Sequence, residues 1–345
     1  MAFSATNLSL ALSLMALIVL AKADFNEKVE PINNILEKNS EMLTQEFCIL
    51  GAVGSVVAEA IMRERRMGAS LIRLFFHDCF VDGCDAGILL NDIPGRFQGE
   101  KTSPPNDNSV RGYEVIDQAK QRIKTMCPGA FLFLVLLLDI LALSLQMSNH
   151  ICYYIFNQQL GGIPYPVRLG RRDARTANFT GALTQLPAPF DNLSVQLTKF
   201  SAKGMSAREM VALVGAHTVG FARCLTMCDD RNINPARKST LNCGCPVSNN
   251  NTNLVPLDLT TPDFFDKFYY EDLIRNRALL FSDQVLMGSS ATADVVRAYN
   301  NNPALFLREF NAAMTKLGDL PPSRGVQLEI RDVCSRVNGN SIAEM

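Results

Sequence analysis

From Val53 to Phe80 apolar residues recur at mixed three- and four-residue intervals through "VGSVVAEAIMRERRMGASLIRLFFHDCF", the spacing that lines one face of an α-helix. The same period runs through "YEVIDQAKQRIKTM", "FDNLSVQLTKFSAKG", "SAREMVALVGAHT", "TPDFFDKFYYEDLIRNRALL" and "NPALFLREFNAAMTKLGDL". Helix starts are marked as well. Ser206 stands three residues before Glu209, a reciprocal capping pair, and Thr261-Pro262 precedes an amphipathic run. Alternation with period two is scarce, so the pattern predicts an all-α fold with loops over 92–112, 161–190 and 246–253. One run is denser. "AFLFLVLLLDILALSLQ" at 130–146 nears the composition of a membrane span, but Asp139 interrupts it and a span needs about 18 or more apolar residues. It predicts a buried core helix.

An apolar stretch from Leu8 to Leu20, followed by Ala21-Lys22-Ala23, reads as a secretory leader over 1–23; an uncleaved membrane anchor is the rival. Cleavage would leave a mature domain over 24–345 in an oxidising compartment. The ten cysteines, at 48, 79, 84, 127, 152, 224, 228, 243, 245 and 334, suit that destination. So do glycosylation sequons at Asn178, Asn192 and Asn250. A formal net charge of −1 argues against a nucleic-acid partner.

The chemistry concentrates in "RLFFHDCFVDGCD". Arg73 and His77 are four residues apart, so a helix projects both from one face. A fixed cation there keeps the imidazole neutral and supplies a base beside a positive charge. On spacing alone a core histidine with a surface arginine is the plainer reading. Asp78 and Asp85 flank a glycine turn whose Val81 and Gly83 carbonyls add oxygens, a donor set suited to Ca²⁺. A zinc site from His77, Cys79 and Cys84 competes but lacks a fourth ligand. In "VALVGAHTVG", His217 fits either a core residue or a haem axial ligand, and Asp283 is a candidate carboxylate for its other nitrogen. There is no Cys-x-x-Cys-His, so any haem is held non-covalently. Thr218 with Asp258, Thr261 and Asp266 forms a second oxygen-rich set.

These residues carry a family likeness. "ASLIRLFFHDCFVDGCDAGILLND", "GEKTSPPNDNSVRGYEVID", "VRLGRRD", "LPAPF", "MVALVGAHTVG", "LDLTTPDFFDKFYY" and "FSDQVL" stand in order between about residue 46 and about residue 338. Together they resemble the secreted plant (class III) haem peroxidases. The resemblance implies a two-lobed helical fold with one haem b between distal and proximal lobes, two Ca²⁺ ions and four disulfides. It implies one-electron oxidation of small phenolic donors by H₂O₂ through an iron-oxo intermediate, in a secreted wall or vacuolar monomer with no membrane partner once the leader is gone. By the same resemblance Arg73, His77 and Asn106 are catalytic, with Phe76 beside them, His217 is the axial ligand and Asp283 its partner. Distal Ca²⁺ falls to Asp78, Val81, Gly83, Asp85 and the Gly87 position, with Glu100 in support. Proximal Ca²⁺ falls to Thr218, Asp258, Thr261, Phe264 through its carbonyl, and Asp266. Pro187 borders the donor entrance, and the implied bridges are Cys48–Cys127, Cys79–Cys84 and Cys224–Cys245.

The chain departs from the family pattern in several places. Gly87 stands where a serine hydroxyl usually ligates Ca²⁺, which predicts a weaker distal site. The segment 127–162 is longer than expected and reads "LLLD" where "SCAD" is usual, so the cysteine expected near Leu137 is missing and Cys334 loses its mate. Cys152, Cys228 and Cys243 have no assigned partners, and Tyr165 replaces the usual tryptophan. These departures keep two alternatives open: a catalytically impaired haem-binding relative, or a chain altered at misassigned exon boundaries.

Overall fold

The long amphipathic run at 53–80 folds as two helices, not one. In the computed structural model, which describes residues 45, 47–127, 160–162, 170–223, 231–238 and 253–339, α1 (47–63) stops at Glu64 and α2 spans Met67–Asp82. The break is pinned electrostatically: the Glu64 carboxylate pairs with Arg111 at 2.6 Å and with Arg66 at 3.3 Å. Those contacts hold the chain in a turn where periodicity alone would continue the helix.

Several of the other helices open on side-chain caps. α3 covers Tyr113–Met126. α4 (Phe179–Gln185) and α5 (Leu193–Ala202) are capped by Asn178 and Asn192, whose side chains accept from Gly181 N and Val195 N. α6 (Ala207–Val214) carries the full capping box of Ser206 and Glu209, then tightens into a 3₁₀ turn over Gly215–Thr218. α7 covers Phe268–Ile274, α8 Ser290–Asn301 and α9 Pro303–Gly318, the last capped by Asn302 with proline at its start. The helix expected after Thr261-Pro262 therefore starts only at Phe268. Asp258 accepts from the Thr260 and Thr261 amides, and Asp266 accepts from Phe268 N, so the intervening backbone wraps around carboxylates.

Strand is minimal. β1 (Asp173–Ala174) pairs antiparallel with β4 (Leu328–Glu329), and β2 (Phe221–Arg223) with β3 (Leu254–Pro256). The chain from Leu50 onward groups as one compact unit, separate from the segment before it. No helix among the described residues is long and apolar enough to cross a membrane. The expected leader, the apolar run at 130–146, Tyr165, Asn250, and Cys152, Cys224, Cys228, Cys243 and Cys245 lie outside the described residues. Cys79 and Cys84 form a disulfide, which removes both thiolates from the rival zinc reading. Cys48 and Cys127 are each disulfide-bonded, and Cys334 is free and buried, as the missing cysteine near Leu137 requires. Of the sequons, Asn192 is exposed, whereas the Asn178 amide donates to Asp82 Oδ2 at 2.9 Å and caps α4.

Under the proximal turn lies an aromatic core in which Tyr270 and Phe306 meet edge to face, with centroids 4.9 Å apart. A Cβ on Gly215 would stand 2.1 Å from the Tyr270 hydroxyl and 2.7 Å from the Phe306 ring. Only glycine lets the turn bearing His217 seat this closely. Gly215→Ala is expected to destabilise the chain by about 1–3 kcal/mol, the usual range for overpacking. A denaturant midpoint measured beside the unaltered chain checks this.

Candidate active site

α2 is buried along most of its circumference, yet Arg66, Ala69, Ser70, Arg73 and Phe76 keep part of their surface uncovered. Steps of three and four residues place them on one stripe. His77 closes the stripe, 8% exposed. Its Nδ1 lies 2.6 Å from Asn106 Oδ1, and the Asn106 amide donates to the Glu100 carbonyl at 2.9 Å. That second bond fixes which end of Asn106 faces the imidazole. Nδ1 must therefore carry the hydrogen, and Nε2 keeps its lone pair. Burial and the neighbouring Arg73 charge hold the His77 pKa down to about 3, against the Asn106 bond that favours the cation. His77 is a neutral base at ordinary pH.

Arg73 donates to the Pro105 carbonyl at 2.9 Å and to Ser109 Oγ at 3.1 Å. Burial, with a contribution from Arg223, brings its pKa down to about 10 despite nearby Tyr113, which leaves it a cation. Arg66 is likewise shifted down by burial and by the charges of Arg111 and Arg223. Three guanidinium groups thus crowd one region, a field that calls for anions.

The 3₁₀ turn after α6 presents His217, whose Nδ1 lies 2.8 Å from Asp283 Oδ1. The same oxygen accepts from the Tyr269 hydroxyl at 3.1 Å. Protein encloses the ring on most sides, yet 37% of its side-chain surface remains open. Burial favours neutral His217 and Arg73 adds to that, but the charge and hydrogen bond of Asp283 outweigh both, and the pKa is raised. The Arg73 charge reaches both imidazoles, and each has its Nε2 free of protein hydrogen bonds among the described residues. An open surface depression of about 590 Å³ lies apart from these residues, between the start of α5 and Asn234, Phe281, Gln284 and Met287, and no titratable side chain lines it.

Two oxygen-rich sets flank the histidines. Beside His77, buried Asp78 has one carboxylate oxygen with no partner, while the other accepts from Ala86 N. Burial and mutual repulsion with Asp85 and Glu100 push the Asp78 pKa well up. Burial takes Asp85 to about 7 and Glu100 to about 8. Such carboxylates await a cation. A Cβ at Gly87 would sit 2.7 Å from Glu100 Oε1 and 3.0 Å from Asp85 Oδ1, so the Glu100 carboxylate fills the space a serine side chain would take. The Val81 carbonyl accepts from Lys203 Nζ at 2.6 Å, leaving its second lone pair for a metal.

Beside His217, Thr218 Oγ1 lies 3.2 Å from Asp258 Oδ2 and 3.4 Å from Asp266 Oδ1, and Thr261 Oγ1 lies 2.9 Å from Asp266 Oδ2. Burial raises both aspartates. The Phe264 amide donates to the Thr261 carbonyl in the same loop. Among the described residues no three His, Cys, Asp or Glu side chains converge as a metal cluster. A cation at either set therefore also relies on hydroxyl and main-chain oxygens, which is Ca²⁺ chemistry. Pro187 is half-buried on the segment joining α4 to α5, near exposed Phe190.

Motif spacing passed over Arg66, Ser109, Arg223 and Tyr269. Arg66 had a signal, since it precedes Arg73 by two helical turns on the same face. The others come from distant segments and had none.

The peroxidase family profile matches residues 53–302. The chain is 52% identical to the suberization-associated anionic peroxidase of Solanum tuberosum, with all of both chains covered. It is 54% identical to the neutral peroxidase of Ipomoea batatas over 87% of this chain and 83% of that one. It is also 44% identical to the lignin-forming anionic peroxidase of Nicotiana sylvestris over 84% of this chain and 87% of that one.

The His77 environment has a measurable sign. Its folded pKa of about 3 lies below the unfolded value of about 6.5. Between these values the unfolded chain holds more protons, so the His77 contribution to stability declines as pH falls through that window. In an NMR titration of the chain without added cofactor, the His77 ring should stay neutral to below pH 4. In Arg73→Leu, which removes the second cause, its inflection should move upward.

Proposed function

Because the chain belongs to the class III plant peroxidase family and is a peroxidase, an oxidoreductase acting on hydrogen peroxide, we propose that it holds one haem b non-covalently between His77 and His217 and oxidises small phenolic donors one electron at a time. The observation that carries this reading is a pair of imidazoles within reach of the same Arg73 charge. One is held neutral by burial and Arg73, the other made electron-rich by Asp283, and both leave Nε2 free.

The residues present fit the group. His217 Nε2 would hold the iron, with Asp283 raising its basicity. Arg66, Arg73 and Arg223 supply the positive field that haem carboxylates need. Bound haem contributes the iron that accepts the oxidising equivalents of peroxide and passes them on singly. His77 Nε2 takes a proton from H₂O₂ and delivers it to the oxygen that leaves as water. Arg73 stabilises the negative charge that develops as the O–O bond breaks. Asn106 keeps the His77 proton on Nδ1 throughout, so Nε2 is always the atom that works.

Two Ca²⁺ ions complete the proposal. One would lie with Asp78, Asp85, the Val81 and Gly83 carbonyls and Glu100. The other would lie with Thr218, Asp258, Thr261, Asp266 and the Phe264 carbonyl. Each set includes the residue next to a site histidine, so each ion would fix the backbone that aims it. The relatives named for suberization and lignin formation favour phenolic precursors of wall polymers as donors. Secretion of a monomeric domain over 24–345, after loss of the leader, belongs to the same proposal.

The test is an absorbance spectrum of the chain with haemin and Ca²⁺ before and after one equivalent of H₂O₂. A defined ferric spectrum that changes within seconds supports the reading. Haem binding without a response to peroxide would identify the impaired relative instead. His217→Ala should abolish the defined spectrum, whereas His77→Ala should keep it and slow the peroxide reaction by about 10²–10⁴-fold. Chelating Ca²⁺ should lower the melting temperature; an unchanged value would remove calcium from the proposal.

A further inference from the structure

Behind His217 an unbroken run of rings leads out of the site. Tyr269 stands edge-on to the His217 ring with centroids 6.2 Å apart, Tyr270 edge-on to Tyr269 at 5.2 Å, and Tyr299 tilted against Tyr270 at 5.3 Å. All three tyrosines are buried. Phe265, Phe306 and Phe310 fill the same core without a hydroxyl, so volume alone does not call for phenols along this line.

The two ends of the run are furnished alike. The Tyr269 hydroxyl donates to Asp283 Oδ1 at 3.1 Å, and the Tyr299 hydroxyl donates to Glu309 Oε2 at 2.5 Å. Tyr270 between them donates to the Val211 carbonyl. A carbonyl satisfies a buried hydroxyl but cannot take its proton, whereas a carboxylate can do both. Beyond Tyr299 comes the surface: Arg208, with a side chain 48% exposed, covers the Tyr299 ring at 5.6 Å and pairs with Glu309 at 2.7 Å.

We infer that Tyr299 is an electron-uptake point for phenolic donors too large to reach the haem. The inference rests on the haem reading above. Tyr299 gives up one electron, which passes through Tyr270 and Tyr269 to the peroxide-oxidised haem beside His217. Its phenolic proton crosses to Glu309 at the same time, leaving a neutral phenoxyl and a carboxylic acid. A donor phenol at the Arg208–Glu309 surface then returns one electron. Tyr299 recovers its proton from Glu309, and the donor releases its own proton to solvent and departs as a phenoxyl radical. Two such cycles consume one H₂O₂ and two phenols and yield two waters and two phenoxyl radicals.

The test uses the haem-loaded chain. After one equivalent of H₂O₂ and rapid freezing, electron paramagnetic resonance should show a tyrosyl signal that Tyr299→Phe removes, and a nitroso spin trap should label the peptide containing Tyr299. In steady state, Tyr299→Phe should slow oxidation of tyramine-substituted dextran by about tenfold or more while free tyramine stays within about twofold. Glu309→Gln, which keeps the ring but loses the proton acceptor, should reproduce the polymer defect. A normal ferric spectrum with polymer rates unchanged in both variants overturns the inference alone. A wild-type chain with no ferric spectrum overturns the haem reading, and this inference with it.

Discussion

Glu100 holds two parts of the structure at once. Its carboxylate lies against Asp85 and the Gly87 backbone and accepts from Asn178 N, while its carbonyl accepts from the Asn106 amide. Asn106 in turn fixes the His77 tautomer. Two hydrogen bonds thus connect the residue that would sense a cation to His77 Nδ1, whose fixed hydrogen leaves Nε2 unprotonated. If the carboxylate shifts, the 3₁₀ turn over Glu100–Thr102 shifts with it, and the orientation of the base follows. With Ca²⁺ bound as proposed, activity and metal content would be coupled through one short turn.

Much of the electrostatics around this turn is unfavourable for a protein standing alone. Three carboxylates are pushed upward by burial, an imidazole is pushed far down, and guanidinium groups repel across the same region. Folding tolerates such charges when their compensation comes from elsewhere, and strained electrostatics of this kind gather where function is built. The chain carries a deficit of cations beside His77 and a deficit of anions near Arg73. Calcium suits the first and the carboxylates of a haem the second.

Local features of the sequence were legible to the extent that they were local. The Ser206–Glu209 box places α6 correctly because a cap acts within one turn. Arg73 and His77 share a face for the same reason. Asn106 and Asp283 lie 29 and 66 residues from the histidines they serve; only the family likeness pointed to Asn106, and residue chemistry alone could name Asp283 no more than a candidate, since no periodicity spans such gaps. Where the reading missed, a side chain had overruled the pattern. Glu64 holds two arginines where one helix ends, and Asp258 and Asp266 delayed another by drawing in backbone amides.

The lost partner of Cys334 has a consequence for an enzyme that works in peroxide. A free thiol in such surroundings is a target for oxidation, and it is the thiolate that reacts. Burial, against a smaller opposing pull from Lys120, pushes the Cys334 thiol up to about 12, so at neutral pH only about one molecule in 10⁵ carries the reactive form. The missing bridge costs the chain a cross-link, yet the sulfur left behind is protected from the oxidant its own active site consumes.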